Sequence, residues 1–306
     1  MLRVDPDPQS ITFTHSAMAT EFSFQLCGDD PEFLKQTAYE ASLLIDSLEQ
    51  KLSLYQEGSD TSRINLAKKG DVIRISSETL DCLEQASTAS RRFNGRFNPF
   101  IGRAAIRSKD QENEFSEISG LPSQWKEPSA IIAIDKNARS VEKIEDGYLL
   151  DLGAIGKGFA LDQTARFLEE WDAQNGLLNA GGSSLLLLPD SDNKKWKIEY
   201  GEYSHSEKLS FPPGMSLASS GLFFQNEHII DPKDGKSHSF WKRVHVIAAD
   251  AALADAASTA AMLLDEEQLT SAAKGDDVMA FLLQGEPDNS LISIGSFFTP
   301  LVGPQK

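Results

Sequence analysis

The sequence predicts a mixed α/β protein of the α+β class, with helices interleaved among many short strands. Two long stretches carry apolar residues at helical spacing, and short apolar runs punctuated by Gly and Pro fill much of the rest. An alanine-rich segment near the end returns to helical character. With 306 residues, 40% of them apolar, the chain is long enough to bury a substantial core.

Residues 31–54 form the first predicted helix, because Leu34, Ala38, Ala41, Ile45, Leu48 and Leu52 alternate four and three apart on one face. A second helix starts at Ser77, read as its N-cap, runs through Leu80, Leu83 and Ala86 to Phe93, and ends at Asn94-Gly95. Residues 105–130 are polar and charged and read as a surface excursion. Ile131–Ile134 and Ser140–Leu150 read as strands around the Asp135–Arg139 turn.

The stretch GYLLDLGAIGKGFALDQTARFLEEW reads as strand, glycine-rich turn and helix. The helix is expected from about Phe159, with Leu161, Ala165 and Leu168 on its apolar side. Gly176–Asn179 leads into a tight turn at Gly181-Gly182, followed by the apolar run Leu185–Leu188. Residues 196–247 alternate short strand-like pieces with Pro and Gly turns. Ala251–Leu264 reads as a helix, and Val278–Leu283 and Leu291–Phe298 as closing strands. No repeat or low-complexity tract interrupts this order, so 1–306 is expected to be one domain with an excursion near 105–130.

Composition excludes several functions. A formal charge of −17, from 46 acidic and 29 basic side chains, argues against nucleic acid and against a polybasic membrane contact. No apolar stretch reaches the 18 residues of a membrane span. Two cysteines, Cys27 and Cys82, do not make a disulfide scaffold, and neither CxxC nor HExxH is present to hold zinc. The opening MLRVDPDPQSITFTHS shows no basic and apolar signal regions. The expectation is a cytoplasmic protein as written, and an exported or lipid-anchored one if a signal segment precedes this sequence.

Four places can carry chemistry. The turn from Gly153 to Gly158 offers backbone amides to a phosphate, or is a tight turn with positive φ at its glycines. Its spacing, GxxGxG, fits neither the dinucleotide fingerprint nor a Walker A loop. Asp151, just before it, can accept bonds from a ligand's ring or ribose, or from the turn's own amides. Asp255 and Thr259 share a helical face and can ligate a hard cation such as Mg²⁺, or be a solvated Asp with a back-bonded Thr. His228, entering a Pro/Gly turn, can serve as a general base or orient a ligand, whereas His15, His205, His238 and His245 show no recognisable partner.

The order of these features is more specific than any one of them. Met18-Ala19-Thr20, Leu52-Ser53-Leu54-Tyr55, Asn94–Gly102, DLGAIGKG, NAGG, Ser219-Ser220-Gly221, HIIDPKDG and ADAAST together resemble the ApbE family. That family comprises the FAD:protein FMN transferases, once described as thiamine-biosynthesis lipoproteins. The resemblance runs from about residue 16 to 264.

It implies an ApbE-like fold of mainly antiparallel sheets packed by helices. It also implies an enzyme that binds FAD and Mg²⁺ and moves FMN onto a Thr or Ser hydroxyl of a target flavoprotein, releasing AMP. The family's usual acceptors are electron-transfer subunits such as those of the Na⁺-pumping quinone reductase. Carried over position by position, Ala154 offers a main-chain carbonyl to the metal, and Asp255 and Thr259 their side chains. Met18, Tyr55, Arg96, Phe97, Asn98, Asp151, Lys157 and Ile229 fall at cofactor positions, and His228 at that of the base. Hydrolysis of FAD to FMN and AMP, or FAD binding without turnover, are the competing readings. Four departures from the family pattern stand out: Ala19 for Gly, Asn98 for Asp, Ser183 for Asp, and Lys233-Asp234 for Arg-Thr.

Overall fold

The computed structural model describes residues 3–4, 10–102, 124–190, 197–202, 205–210, 212–222, 229–274, 279–285 and 290–295. After the short strand β1 (Arg3–Val4), strands β2 (Ser10–Ala17) and β3 (Thr20–Cys27) pair antiparallel. Their loop is Met18-Ala19, both residues at positive φ, +51° and +56°. This is the two-residue type I′ arrangement, whose twist suits the flanking strands.

Helix α1 (Pro31–Leu52) begins at Asp30, whose carboxylate accepts the amides of Glu32 and Phe33, and buries all six residues that predicted it. Helix α2 (Asp60–Leu66), capped by Ser59, was not anticipated. Strand β4 (Val72–Arg74) precedes helix α3 (Ser77–Arg92), whose N-cap is Ser76, not Ser77: the Ser76 hydroxyl takes the Thr79 amide. Asn94 and Gly95 end this helix with positive φ, as expected.

Residues 103–123, most of the expected excursion, lie outside the described residues. Strands β5 (Ile132–Asp135) and β6 (Ser140–Lys143) form a hairpin that β4 extends. The second strand stops at Lys143 instead of reaching Leu150; Leu149 makes only an isolated bridge to Ile101. Helix α4 (Gly153–Glu170) follows, then β7 (Gly176–Ala180) and β8 (Ser184–Leu187).

The rest is β9 (Lys197–Glu202), β10 (His205–Ser210), β11 (Ser216–Gly221), β12 (Arg243–Ala248), α5 (Ala251–Ala261), α6 (Glu266–Ala273), β13 (Ala280–Gln284) and β14 (Leu291–Ile294). Val278 and Phe298, expected strand ends, lie outside the described residues.

Eight strands make one antiparallel sheet in the order β14-β13-β12-β11-β8-β7-β3-β2, which meets the expected fold class. Its helix-facing side contributes Phe22, Phe24, Leu178, Leu186, Val244 and Phe281 to a core shared with Ile155, Phe159, Ala254 and Ala257 of α4 and α5. Alternation along the strands fixes which side chains meet these helices, and hence where polar groups can reach them. No helix among the described residues is long and apolar enough to cross a membrane.

Candidate functional site

The glycine-rich stretch is not a turn. Gly153 to Gly158 form the first turn and a half of α4, and none of their glycines takes positive φ. Gly158 is needed for space: a Cβ there would lie 2.1 Å from the Ala251 carbonyl oxygen, where α5 starts. Asp151 turns back on this helix start, its Oδ1 accepting the Gly153 amide at 2.8 Å. Its own amide donates to the Pro99 carbonyl at 2.7 Å, so the 96–98 segment lies against the N-terminus of α4.

Within that segment Phe97 and Asn98 are buried. The Asn98 side chain takes the Phe100 amide on Oδ1 and gives Nδ2 to the Lys126 carbonyl at 3.0 Å. A carboxylate has no donor for that carbonyl, which accounts for an amide at this position in this chain.

Asp255 is the buried acid at the centre, only 5% exposed. Its Oδ2 accepts the Gly158 amide at 2.7 Å and its Oδ1 the Ser184 hydroxyl at 2.5 Å. Lys157 Nζ stands 3.9 Å from Oδ2 and supplies a compensating charge. Ala154 lies one turn before Gly158 in the same helix. Thr259, four residues on, bonds back to the Asp255 carbonyl at 3.3 Å, the back-bonded arrangement. Its hydroxyl keeps a lone pair, and each Asp255 oxygen keeps one as well. Carboxylate, hydroxyl and carbonyl are the hard oxygen donors that Mg²⁺ takes, so the donor set here fits that ion.

Two loops close one end of the sheet beside these helices. Gly181 donates to the Glu21 carbonyl at 2.9 Å, and a Cβ on it would meet Thr20 Oγ1 at 2.2 Å, which seats the Met18 hairpin against the Gly181-Gly182 turn. Ser183, through its carbonyl, receives the Ser219 amide at 2.8 Å. Ser220 on β11 meets Ser258 on α5, hydroxyl to hydroxyl, at 2.9 Å. Tyr55 is exposed after α1, next to Leu54, which packs on Leu149 two residues before Asp151.

Sequence reasoning missed a second polar knot. Asp231 is buried; its Oδ1 accepts the Lys233 amide, and its Oδ2 takes both Arg96 Nη1 and His238 Nε2, the latter at 2.8 Å. Asp231, Asp234 and His238 bring metal-type atoms within 4.8 Å of one another. The Arg96 guanidinium pairs with Asp231 there.

Arg96 Nε is buried with no hydrogen-bond partner among the described residues. The same side chain lines a cleft of about 200 Å³ with Arg92, Lys233, Asn94, Gln268 and Ser271, and among the described residues no carboxylate lines it. In a chain of net charge −17, that cleft suits an anionic group.

Three histidines expected to lack partners have them. His15 meets Asp46 at 2.6 Å, His238 meets Asp231, and His245 Nδ1 meets Ser219 Oγ at 2.6 Å. Their partners are Asp46 on α1, Asp231 in the same loop as His238, and Ser219 on the adjacent strand β11. Burial, then the Arg243 charge, push His245 down to about 3. Ile229 is buried in the main core, and His228 lies outside the described residues.

An eight-stranded antiparallel sheet whose loops, helix start and buried aspartate meet at one end defines an α+β protein with a polar candidate site at that end. The family model of the ApbE family matches residues 18–283, and the chain belongs to that family. The FAD:protein FMN transferase of Haemophilus influenzae is 25% identical over 285 residues, 86% of this chain and 82% of that protein. The protein of the same name from Vibrio cholerae is 22% identical over 289 residues, 86% and 84%. Among solved structures, the flavin transferase ApbE from Vibrio cholerae superposes with a TM-score of 0.79 at 20% identity, covering 95% of this chain and 98% of that one. The apo Pseudomonas stutzeri flavinyl transferase ApbE gives 0.76 at 20% identity, over 97% and 98%.

Proposed function

We propose that this chain is an FAD:protein FMN transferase that uses Mg²⁺ and attaches FMN through a phosphoester to a Thr or Ser of a target flavoprotein. The observation that carries the reading is the buried Asp255 carboxylate, held by the Gly158 amide and the Ser184 hydroxyl with Lys157 3.9 Å away. Asp151 and the 96–98 segment lie at the same helix start, Leu54 beside Tyr55 packs on Leu149, and the Met18 hairpin sits against the Gly181-Gly182 turn. Membership of the ApbE family and the names of the curated relatives support it.

In the reaction the acceptor oxygen forms a bond to the FMN-side phosphorus. The pyrophosphate P–O bond breaks, AMP leaves, and the hydroxyl proton passes to a base. His228 is the proposed base, a role worth roughly 10²–10⁴-fold in rate. Ala154, Asp255 and Thr259 would hold Mg²⁺, which when bound neutralises phosphate oxygens and favours in-line geometry. Arg96 and Lys233 line the cleft that adds positive field for the cofactor's phosphates. Met18, Tyr55, Phe97, Asn98, Asp151, Lys157 and Ile229 complete the proposed FAD contacts.

The test is incubation of the purified chain with FAD, Mg²⁺ and an electron-transfer subunit of the Na⁺-pumping quinone reductase. An FMN adduct on Thr or Ser, found by mass spectrometry with stoichiometric AMP, is expected. AMP and free FMN without an adduct would replace the transferase reading by FAD hydrolysis, and bound FAD without products by simple binding.

A further inference from the structure

Helices α4 and α5 exchange carboxylates. Asp162 stands one turn beyond Gly158 on the same face of α4. Its two oxygens accept the amides of Ala251 at 2.8 Å and Ala252 at 2.9 Å, the first two residues of α5. Asp250, the residue in the capping position of α5, makes no side-chain cap bond, so the cap comes from another helix. In return Asp255, one turn into α5, accepts the Gly158 amide of α4 at 2.7 Å. Between the two exchanges Gly158 lets the Ala251 backbone approach to a distance that no side chain permits. Sliding α5 along its axis breaks both ends at once.

We infer that Asp162 is a positioning residue for the cation site: it fixes the register of α5 on α4 and thereby sets the Asp255 carboxylate against the first turns of α4. A cap that served stability alone would have no reason to be returned one turn later by the proposed ligand. The inference rests on the reading of Asp255 as a metal ligand, and its test separates the two.

Asp162→Asn puts an amide N–H against one of the two helix amides. Ala251→Pro is the milder change: it deletes one donor at the first helical position, where Pro is tolerated, and residue 250 already has the extended backbone that Pro demands of its predecessor. Leu168→Ala, a core truncation farther along α4, is the control for stability alone.

For each full-length folded protein, exchange of the Gly158 amide is measured by NMR without metal, and Mg²⁺ affinity by calorimetry. Expected for Asp162→Asn is an amide exchange about tenfold faster and an Mg²⁺ dissociation constant about tenfold weaker, with about threefold changes for Ala251→Pro. Leu168→Ala should lose stability and change neither. If Asp162→Asn is destabilised with both readouts unmoved, Asp162 is only a cap and the inference fails. If Asp162→Asn does not fold, Ala251→Pro decides by the same criteria. If the unaltered chain takes up no Mg²⁺, the metal reading falls, and amide exchange alone decides whether Asp162 sets the register.

Discussion

Asp255 and Gly158 lie 97 residues apart in sequence and 2.7 Å apart in space, carboxylate to backbone amide. Because Ser184 holds the other oxygen through a hydroxyl that can also accept, an amide fits the same place. Asp255→Asn should therefore keep the fold, losing about 1 kcal/mol or less in urea unfolding. FMN transfer and Mg²⁺ uptake should fall at least about a hundredfold, since the charge that a cation needs is gone. Full activity in this variant would remove Asp255 from the metal site.

Gly158→Ala tests the helix contact. Alanine favours a helix by about 1 kcal/mol over glycine, and its φ is unobjectionable here. Its Cβ nevertheless lands 2.1 Å from the Ala251 carbonyl oxygen and 2.4 Å from its carbon, backbone atoms that cannot rotate away. The clash should win, with a net loss of about 2–3 kcal/mol in denaturant unfolding. A stabilised variant would show that α4 and α5 pack less closely than the structure has them.

The same glycine explains where the sequence misled. Three glycines in six residues have poor helix propensity, so 153–158 reads as a loop and the helix is expected to start at Phe159. A tertiary requirement, room for Ala251, overrides the local preference. Helix α1 was legible because its apolar face is both periodic and buried, residue for residue. The β2–β3 hairpin was not, because Met18-Ala19 carries none of the Asn-Gly or Asp-Gly chemistry that marks such turns. Motif order located Arg96, Asp151 and Asp255. The pairings themselves, Asp231 with Arg96, Ser184 with Asp255, and Asp162 with the start of α5, come from the fold. Asp162 did leave one trace: a carboxylate at helical spacing from Gly158 and among the apolar residues of its helix.

Ala19 is an L-residue held at φ +56° in a two-residue loop. Left-handed backbone costs such a residue on the order of 1–2 kcal/mol, partly offset by the chain entropy that glycine would lose on folding. Ala19→Gly should stabilise the protein by about 1 kcal/mol without moving Met18. Gly181→Ala should do the reverse, since it adds both the positive-φ cost at +62° and a clash with Thr20. Urea midpoints of the pair decide this, and a destabilised Ala19→Gly would contradict the type I′ loop.

His245 and Asp162 should pull stability in opposite directions with pH. Burial, and after it Arg243, lower His245 from 6.5 to about 3, so the folded chain resists protonating it. Its stabilising contribution is complete above pH 6.5 and is lost as pH falls toward 3. Burial raises Asp162 from 3.8 to about 7 against the pull of the Ala251 and Ala252 amides. Its contribution is complete below pH 3.8 and is lost as pH rises toward 7. His245→Asn keeps a hydrogen-bonding partner for Ser219 and removes the titration. Relative to that variant, the unaltered chain should gain stability steadily from pH 4 to pH 6.5. Relative to Asp162→Asn it should lose stability over the same interval. Urea unfolding at half-unit pH steps measures both differences. A flat difference for His245→Asn would mean that the imidazole is protonated in the folded chain, and its bond to Ser219 would then have to run from Nδ1–H to the hydroxyl oxygen.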